Sequence, residues 1–124
     1  MTSAERTVFI VESHAAVGDS MRALLESAGL HAEVYRSGSQ FAAAFETGKP
    51  GCLVLNVDPS SLNAFELLDL LAARGIALPA ILITWLNDAA IKTLATHPGV
   101  AAVLQKPLSD TVLLGAIERA LRHA

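Results

Sequence analysis

The hydrophobic pattern of this chain alternates between short apolar runs and stripes that repeat every three to four residues. Residues Thr7 to Val11 are continuous and largely β-branched, and the run breaks at Glu12, Ser13 and His14. That pattern predicts a short buried strand with polar residues at its tip. From Ala15 the period lengthens. Val17, Met21, Leu24, Leu25 and Ala28 form one helical stripe, closed by Gly29. Gly18 inside this stripe costs about 1 kcal/mol of helix propensity against alanine, which predicts a close contact or local looseness there. His31 to Tyr35 alternates as a half-exposed strand. Ser37 to Ser39 then opens a second helix, with Phe41, Ala44 and Phe45 as its stripe, ended by Gly48, Lys49, Pro50 and Gly51.

Leu53, Val54 and Leu55, after Cys52, read as a fully buried strand that ends in the polar Asn56, and Asp58, Pro59, Ser60 and Ser61 follow as a turn signal. A third helix carries Phe65, Leu67, Leu68, Leu70 and Leu71 and runs to Gly75. Leu78 to Ile83 reads as a buried strand with Thr84 at its tip, its proline placed early where a missing donor is tolerated. Asn87 and Asp88 can cap a fourth helix through about Thr96, which His97, Pro98 and Gly99 terminate. Val100 to Leu104 is the last strand, and Lys106-Pro107 turns the chain. Ser109 caps a closing helix built on Val112, Leu113, Ala116, Ile117, Ala120 and Leu121. Its Arg119, Arg122 and His123 suit the negative end of the helix dipole.

Strands and helices in strict alternation predict a doubly wound α/β fold, a parallel sheet with helices on both faces joined by right-handed crossovers. In such a sheet the carboxyl ends of the strands open on the crevice where sites form. Glu12, Ser13, Asn56, Thr84 and Lys106 all fall at those ends, so convergence on one edge is expected.

Composition narrows the function class. The 124 residues suit one domain, residues 1–124, without repeat, linker or internal boundary. With 52% hydrophobic and 17% charged residues the chain is no disordered polyelectrolyte. Its net charge is -3 and its nine Lys and Arg residues are scattered, which argues against nucleic-acid binding by this segment. Cys52 is the only cysteine, so no intrachain disulfide can form, a reducing compartment is the natural reading, and the thiol is expected to be a small core residue. No apolar run approaches the length of a membrane span and no signal-like start precedes the first strand, so a soluble, cytoplasmic protein without membrane contact is expected. His14, His31, His97 and His123 show no metal-ligand spacing and are expected to be solvated. Gly48-Lys49 lacks the glycine and hydroxyl of a phosphate loop, and no serine has a paired histidine and acid in its context.

Several of these residues together carry a resemblance: Thr84 after an apolar strand containing Pro79, the Lys106-Pro107 pair, Phe65-Glu66-Leu67-Leu68 opening the third helix, and Ala15-Ala16-Val17 followed by Asp19-Ser20. Over its whole length the chain resembles a CheY-like receiver domain of a two-component response regulator. It looks most like the receivers of FixJ/NarL-type transcription regulators, which precede a helix-turn-helix output domain. The resemblance implies a flavodoxin-like (βα)5 fold with strand order 2-1-3-4-5. It also implies an acidic pair that helps hold Mg²⁺, an acceptor aspartate fed by a histidine kinase, a hydroxyl, and a lysine that pairs with the phosphoryl group.

Here the acidic pair is Glu12-Ser13 and the acceptor position is Asn56, while Thr84 and Lys106 match the hydroxyl and the lysine. Val103 replaces the usual switchable aromatic. The acceptor loop, from Asp58 to Ala64, lacks the customary glycine, and Asp58 matches a position that serves the metal through its backbone carbonyl. Phosphoryl transfer needs an anionic oxygen in line with phosphorus and a cation on the transferring oxygens. Asn56 offers no charge, and the loss at Ser13 makes Mg²⁺ binding weak or absent. A natural degenerate receiver is therefore the leading reading, with no cofactor and no enzymatic activity expected. The alternatives are an introduced Asp-to-Asn change in an ordinary receiver, residual autophosphorylation through Asp58, and a small-ligand site in the crevice.

Asn56 is expected to be hydrogen-bonded to Lys106 or to backbone donors, and Glu12 to be that lysine's counter-ion. Of the histidines, His14 alone lies beside the crevice. Trp85-Leu86, a large apolar pair at its lip, is either cover over the site or a contact surface. The partner expected is a second copy, through the fourth helix, last strand and closing helix, or a histidine kinase or output domain.

Overall fold

The computed structural model describes residues 6–45, 49–57, 64–85 and 88–122. Within them five strands and five helices alternate: β1 (Thr7–Val11), α1 (Ala15–Ser27), β2 (His31–Tyr35), α2 (Gly38–Ala44), β3 (Gly51–Val57), α3 (Ala64–Ala73), β4 (Ala80–Thr84), α4 (Asp88–Ala95), β5 (Val100–Gln105) and α5 (Asp110–Arg122). All strands are parallel, in the order β2-β1-β3-β4-β5. The doubly wound architecture and the strand order both match the expectation.

Strand alternation divides the core into two layers. Val8, Ile10, Cys52, Val54, Ile81 and Ile83 face one side, where Leu25 of α1 and Leu113, Ala116, Ile117, Ala120 and Leu121 of α5 cover them. Phe9, Leu53, Leu55, Val57, Ala80 and Leu82 face the other, under Phe41 and Ala42 of α2 and Leu67, Leu68 and Leu71 of α3. Burial alone pushes the Cys52 thiol up to about 12, so at neutral pH it is a protonated core group, as its sequence context suggested. On the second side Phe41 is the keystone. Its ring meets Phe9, Tyr35 and Phe45 at centroid distances of 5.5, 5.4 and 5.3 Å, tilted or edge-on as ring quadrupoles prefer.

The caps follow the sequence. The Ser37 hydroxyl accepts from the Gln40 N–H, and the Ser109 hydroxyl from the Val112 N–H. Gly18 has the close neighbour its position predicted: a Cβ there would lie 2.8 Å from Val34 Cγ1, which pins α1 against β2. Gly51 lets β1 and β3 pair closely, since a Cβ would overlap the Thr7 carbonyl.

Some stripe assignments are corrected. Val17, Ala28, Ala44, Leu70 and Val112 are exposed, and Phe45 lies just beyond the end of α2, with Ala42 buried in place of Ala44. A period of three to four fixes the side of a helix but not how far a marginal position sinks below its neighbours. His97 also departs from the expected solvated state. Its ring is 13% exposed, stacks on Phe65 at 5.2 Å, accepts from the Gly99 N–H through Nδ1, and holds Asp69 through Nε2 at 2.7 Å. The partner is 28 positions away in the chain, beyond any local pattern. His123 lies outside the described residues.

Candidate functional site

The site is assembled by the carboxyl ends of the strands. β1 continues into Glu12, whose N–H donates to the Tyr35 carbonyl at 2.9 Å, so the carboxylate leaves the sheet at a fixed point. Glu12 is only 2% exposed. A carboxylate so enclosed needs donors, and it finds them locally: Oε2 accepts from the His14 N–H at 2.9 Å and lies 3.3 Å from His14 Nδ1. The Ser13 hydroxyl is exposed and lies 3.5 Å from the same imidazole nitrogen.

On β3, Asn56 stands beside Ile83 of β4 and Val57 beside Thr84. Asn56 Oδ1 is buried and has no hydrogen-bond partner among the described residues. This corrects the expectation of a bond to Lys106 or to the backbone. Thr84 is fully buried; alternation places it on the α2 and α3 side of the sheet, opposite Ile83.

Lys106 is half-buried, and its N–H donates to the Thr84 carbonyl at 2.7 Å, which extends the β4–β5 ladder. Its ammonium does not enter the crevice. Nζ lies over the Trp85 ring, 5.8 Å from the centroid. No described carboxylate forms an ion pair with it, so Glu12 is paired with His14 and is not the counter-ion of the lysine.

The polar strand tips therefore share an edge but not a cavity. A cleft of about 220 Å³ is lined by Glu12, Ser13, Arg36, Ser37 and Asn56 among others, and neither Thr84 nor Lys106 reaches it. Arg36 was missed in the sequence, although it directly follows the last residue of β2 and so stands at the same carboxyl edge. Trp85 is 62% exposed and belongs to a different groove, so it does not roof the Asn56 cleft. Asp58 and Leu86 lie outside the described residues.

As donors for a divalent ion, the described side chains at this corner supply one carboxylate, already engaged by a backbone N–H, with a hydroxyl and a carboxamide. No group of three or more His, Cys, Asp or Glu among the described residues could hold a metal. That set is a poor match for a small cation that gives up its waters reluctantly. No helix among the described residues is long and apolar enough to cross a membrane.

Comparison with known proteins agrees with this architecture. Residues 8–118 match the response regulator receiver domain family. The transcriptional regulatory protein TdiR of Thauera aromatica is 35% identical over 115 residues, covering 93% of this chain and 51% of that protein. FixJ of Bradyrhizobium diazoefficiens is 30% identical over 117 residues, covering 94% of this chain and 57% of that protein. The chain thus spans about half the length of these relatives. The crystal structure of FixJ-N superposes with a TM-score of 0.82 at 30% identity, covering 100% of this chain and 98% of that one. With a family match over most of its length and the same fold as a solved relative at 30% identity, this chain belongs to the response regulator receiver domain family of two-component signalling.

Proposed function

We propose that this receiver signals by protein contact and does not accept a phosphoryl group through the conventional aspartyl route. Asn56 carries the reading. It occupies the carboxyl end of β3, where the family resemblance puts the acceptor, and a carboxamide has no anionic oxygen to attack phosphorus. Two further features support it. The residue after Glu12 is a serine, which leaves Mg²⁺ short of a carboxylate, and the Lys106 ammonium rests on Trp85, away from the acceptor position. On this reading Mg²⁺ binding is weak, and the domain is a binding module with no catalytic residue. A second copy, a histidine kinase or an output domain is the contacting protein. TdiR and FixJ, of which this chain spans about half, are transcriptional regulatory proteins by name.

Intact-mass measurement after incubation with acetyl phosphate and Mg²⁺ tests the proposal. The expected result is an unchanged mass for the wild type, and a poorly phosphorylated Asn56→Asp variant, because Ser13 still withholds a ligand from the cation. A phosphate adduct on the wild type that vanishes in Asp58→Asn would overturn the proposal in favour of the neighbouring carboxylate.

A further inference from the structure

Among the described residues that line the polar cleft, Glu12 and Arg36 alone carry charge, and no ion pair joins them. Glu12 is the enclosed one. Its Oε2 is engaged by His14, while Oε1 has no partner among the described residues, and the residue, 2% exposed, lines the cleft. A carboxylate taken out of water with one oxygen unmatched calls for a donor. Arg36 is the open one. It is exposed at the turn between β2 and α2, its N–H donates to Gln40 Oε1 at 3.1 Å, and its guanidinium forms no ion pair among the described residues.

One fixed anion and one fixed cation that share a cleft without meeting leave room for a molecule that carries the opposite of each. Asn56, between the other lining residues of β3 and the cleft, is neutral and does not disturb that balance, and Val11, Leu55 and Leu67 add apolar lining. The volume of about 220 Å³ holds about seven water-sized groups at about 30 Å³ each, which is the size of a short aliphatic stem with a charged group at either end. We infer that the cleft binds a small zwitterion, its ammonium on Glu12 Oε1 and its carboxylate on Arg36. An ammonium brings three donors of its own and is satisfied by a lone carboxylate oxygen, whereas Mg²⁺ is not. A guanidinium matches a carboxylate with two parallel donors. The inference rests on the reading that phosphate does not throw this domain, and it names the chemistry of a signal that could. Neither Thr84 nor Lys106 takes part, since neither reaches the cleft.

Calorimetric titration of the purified chain tests it, in buffer free of Mg²⁺ and of phosphate donors. The probes are free glycine, β-alanine and 4-aminobutyrate, whose stems lengthen by one methylene at a time, with propionate and propylammonium as partners that keep one charge each. Saturable binding at about millimolar concentration or tighter is expected for at least one member of the series. Each singly charged partner should bind roughly tenfold more weakly or worse, and Arg36→Gln should weaken the best zwitterion by a similar factor while leaving propylammonium unaffected. Glu12→Gln should do the converse, and circular dichroism reports whether that buried substitution folds. If it does not, the two singly charged probes still separate the two ends on the unaltered chain. No binding across the series, equal affinity for a singly charged partner, or indifference to Arg36→Gln would each overturn the inference. A phosphate adduct in the mass experiment would instead overturn the reading it rests on, so the two failures are told apart.

Discussion

Two corners of one sheet edge have parted company. At the ends of β1 and β3, Glu12 is enclosed and held by backbone hydrogen bonds and by His14, Asn56 is half-buried, and both line a small polar cleft. At the ends of β4 and β5, Trp85 and Lys106 point outward and share an apolar groove. A receiver working by phosphate needs these corners to speak to each other across the acceptor. Here the β3 tip presents an uncharged carboxamide, and the Lys106 ammonium lies over the Trp85 ring instead. The difference teaches that a fold can set its strand tips along one edge while the side chains they carry settle in separate cavities.

The largest effect should come from breaking the polar corner through its support. Phe41 is fully buried and its ring is shared with Phe9, Tyr35 and Phe45. Phe41→Ala should cost about 3–5 kcal/mol of unfolding free energy, the range for buried aromatic truncation. Because α2 walls the Glu12–Asn56 cleft and not the Trp85 groove, the remaining folded protein should keep its tryptophan emission. Chemical denaturation and fluorescence together measure both parts, and a changed native emission would mean that the corners are coupled after all.

A smaller effect with the opposite sign is expected at Asn56. Its Oδ1 is buried without a partner among the described residues, and an unpaired buried acceptor carries its desolvation cost with no return. Asn56→Leu removes that atom at similar volume and should stabilise the fold by about 1 kcal/mol, read as a higher denaturation midpoint. A clear loss of stability instead would show that Asn56 is bonded in solution, with Lys106 as the first suspect.

Most of the architecture was legible in the sequence because each element announces itself locally: a β-branched run, a three-to-four stripe, a capping serine, a glycine stop. Gly18 was readable too, since a glycine inside a helical stripe calls for a close neighbour, and Val34 is there. The site was legible only as an address. Strand ends placed Glu12, Asn56, Thr84 and Lys106 on one edge, but the direction of a side chain with four rotatable bonds depends on what lies within reach. For Lys106 that was Trp85, two positions beyond Ile83 on the neighbouring strand. Glu12 found His14 two residues away, a contact too short-range for periodicity to reveal, and His97 found Asp69 too far along the chain for any local pattern. Arg36 carries no local signal: it is a single polar residue after β2, and only the strand order, which sets β2 beside β1, brings it to the cleft.

The smallest predicted effect is the sharpest test of the separation. If Lys106 belongs to the outer corner, removing its ammonium forfeits only a partly exposed cation–π contact, because the hydrocarbon stem can still pack. Lys106→Met should therefore cost about 0.5–1 kcal/mol in denaturation experiments. A loss of several kcal/mol would be out of proportion to a ring contact at a tryptophan 62% exposed, and would place the ammonium on a buried acceptor. Among the described residues of this edge the buried acceptor left unpaired is Asn56 Oδ1, so the size of one small number decides whether the two corners are separate or still joined.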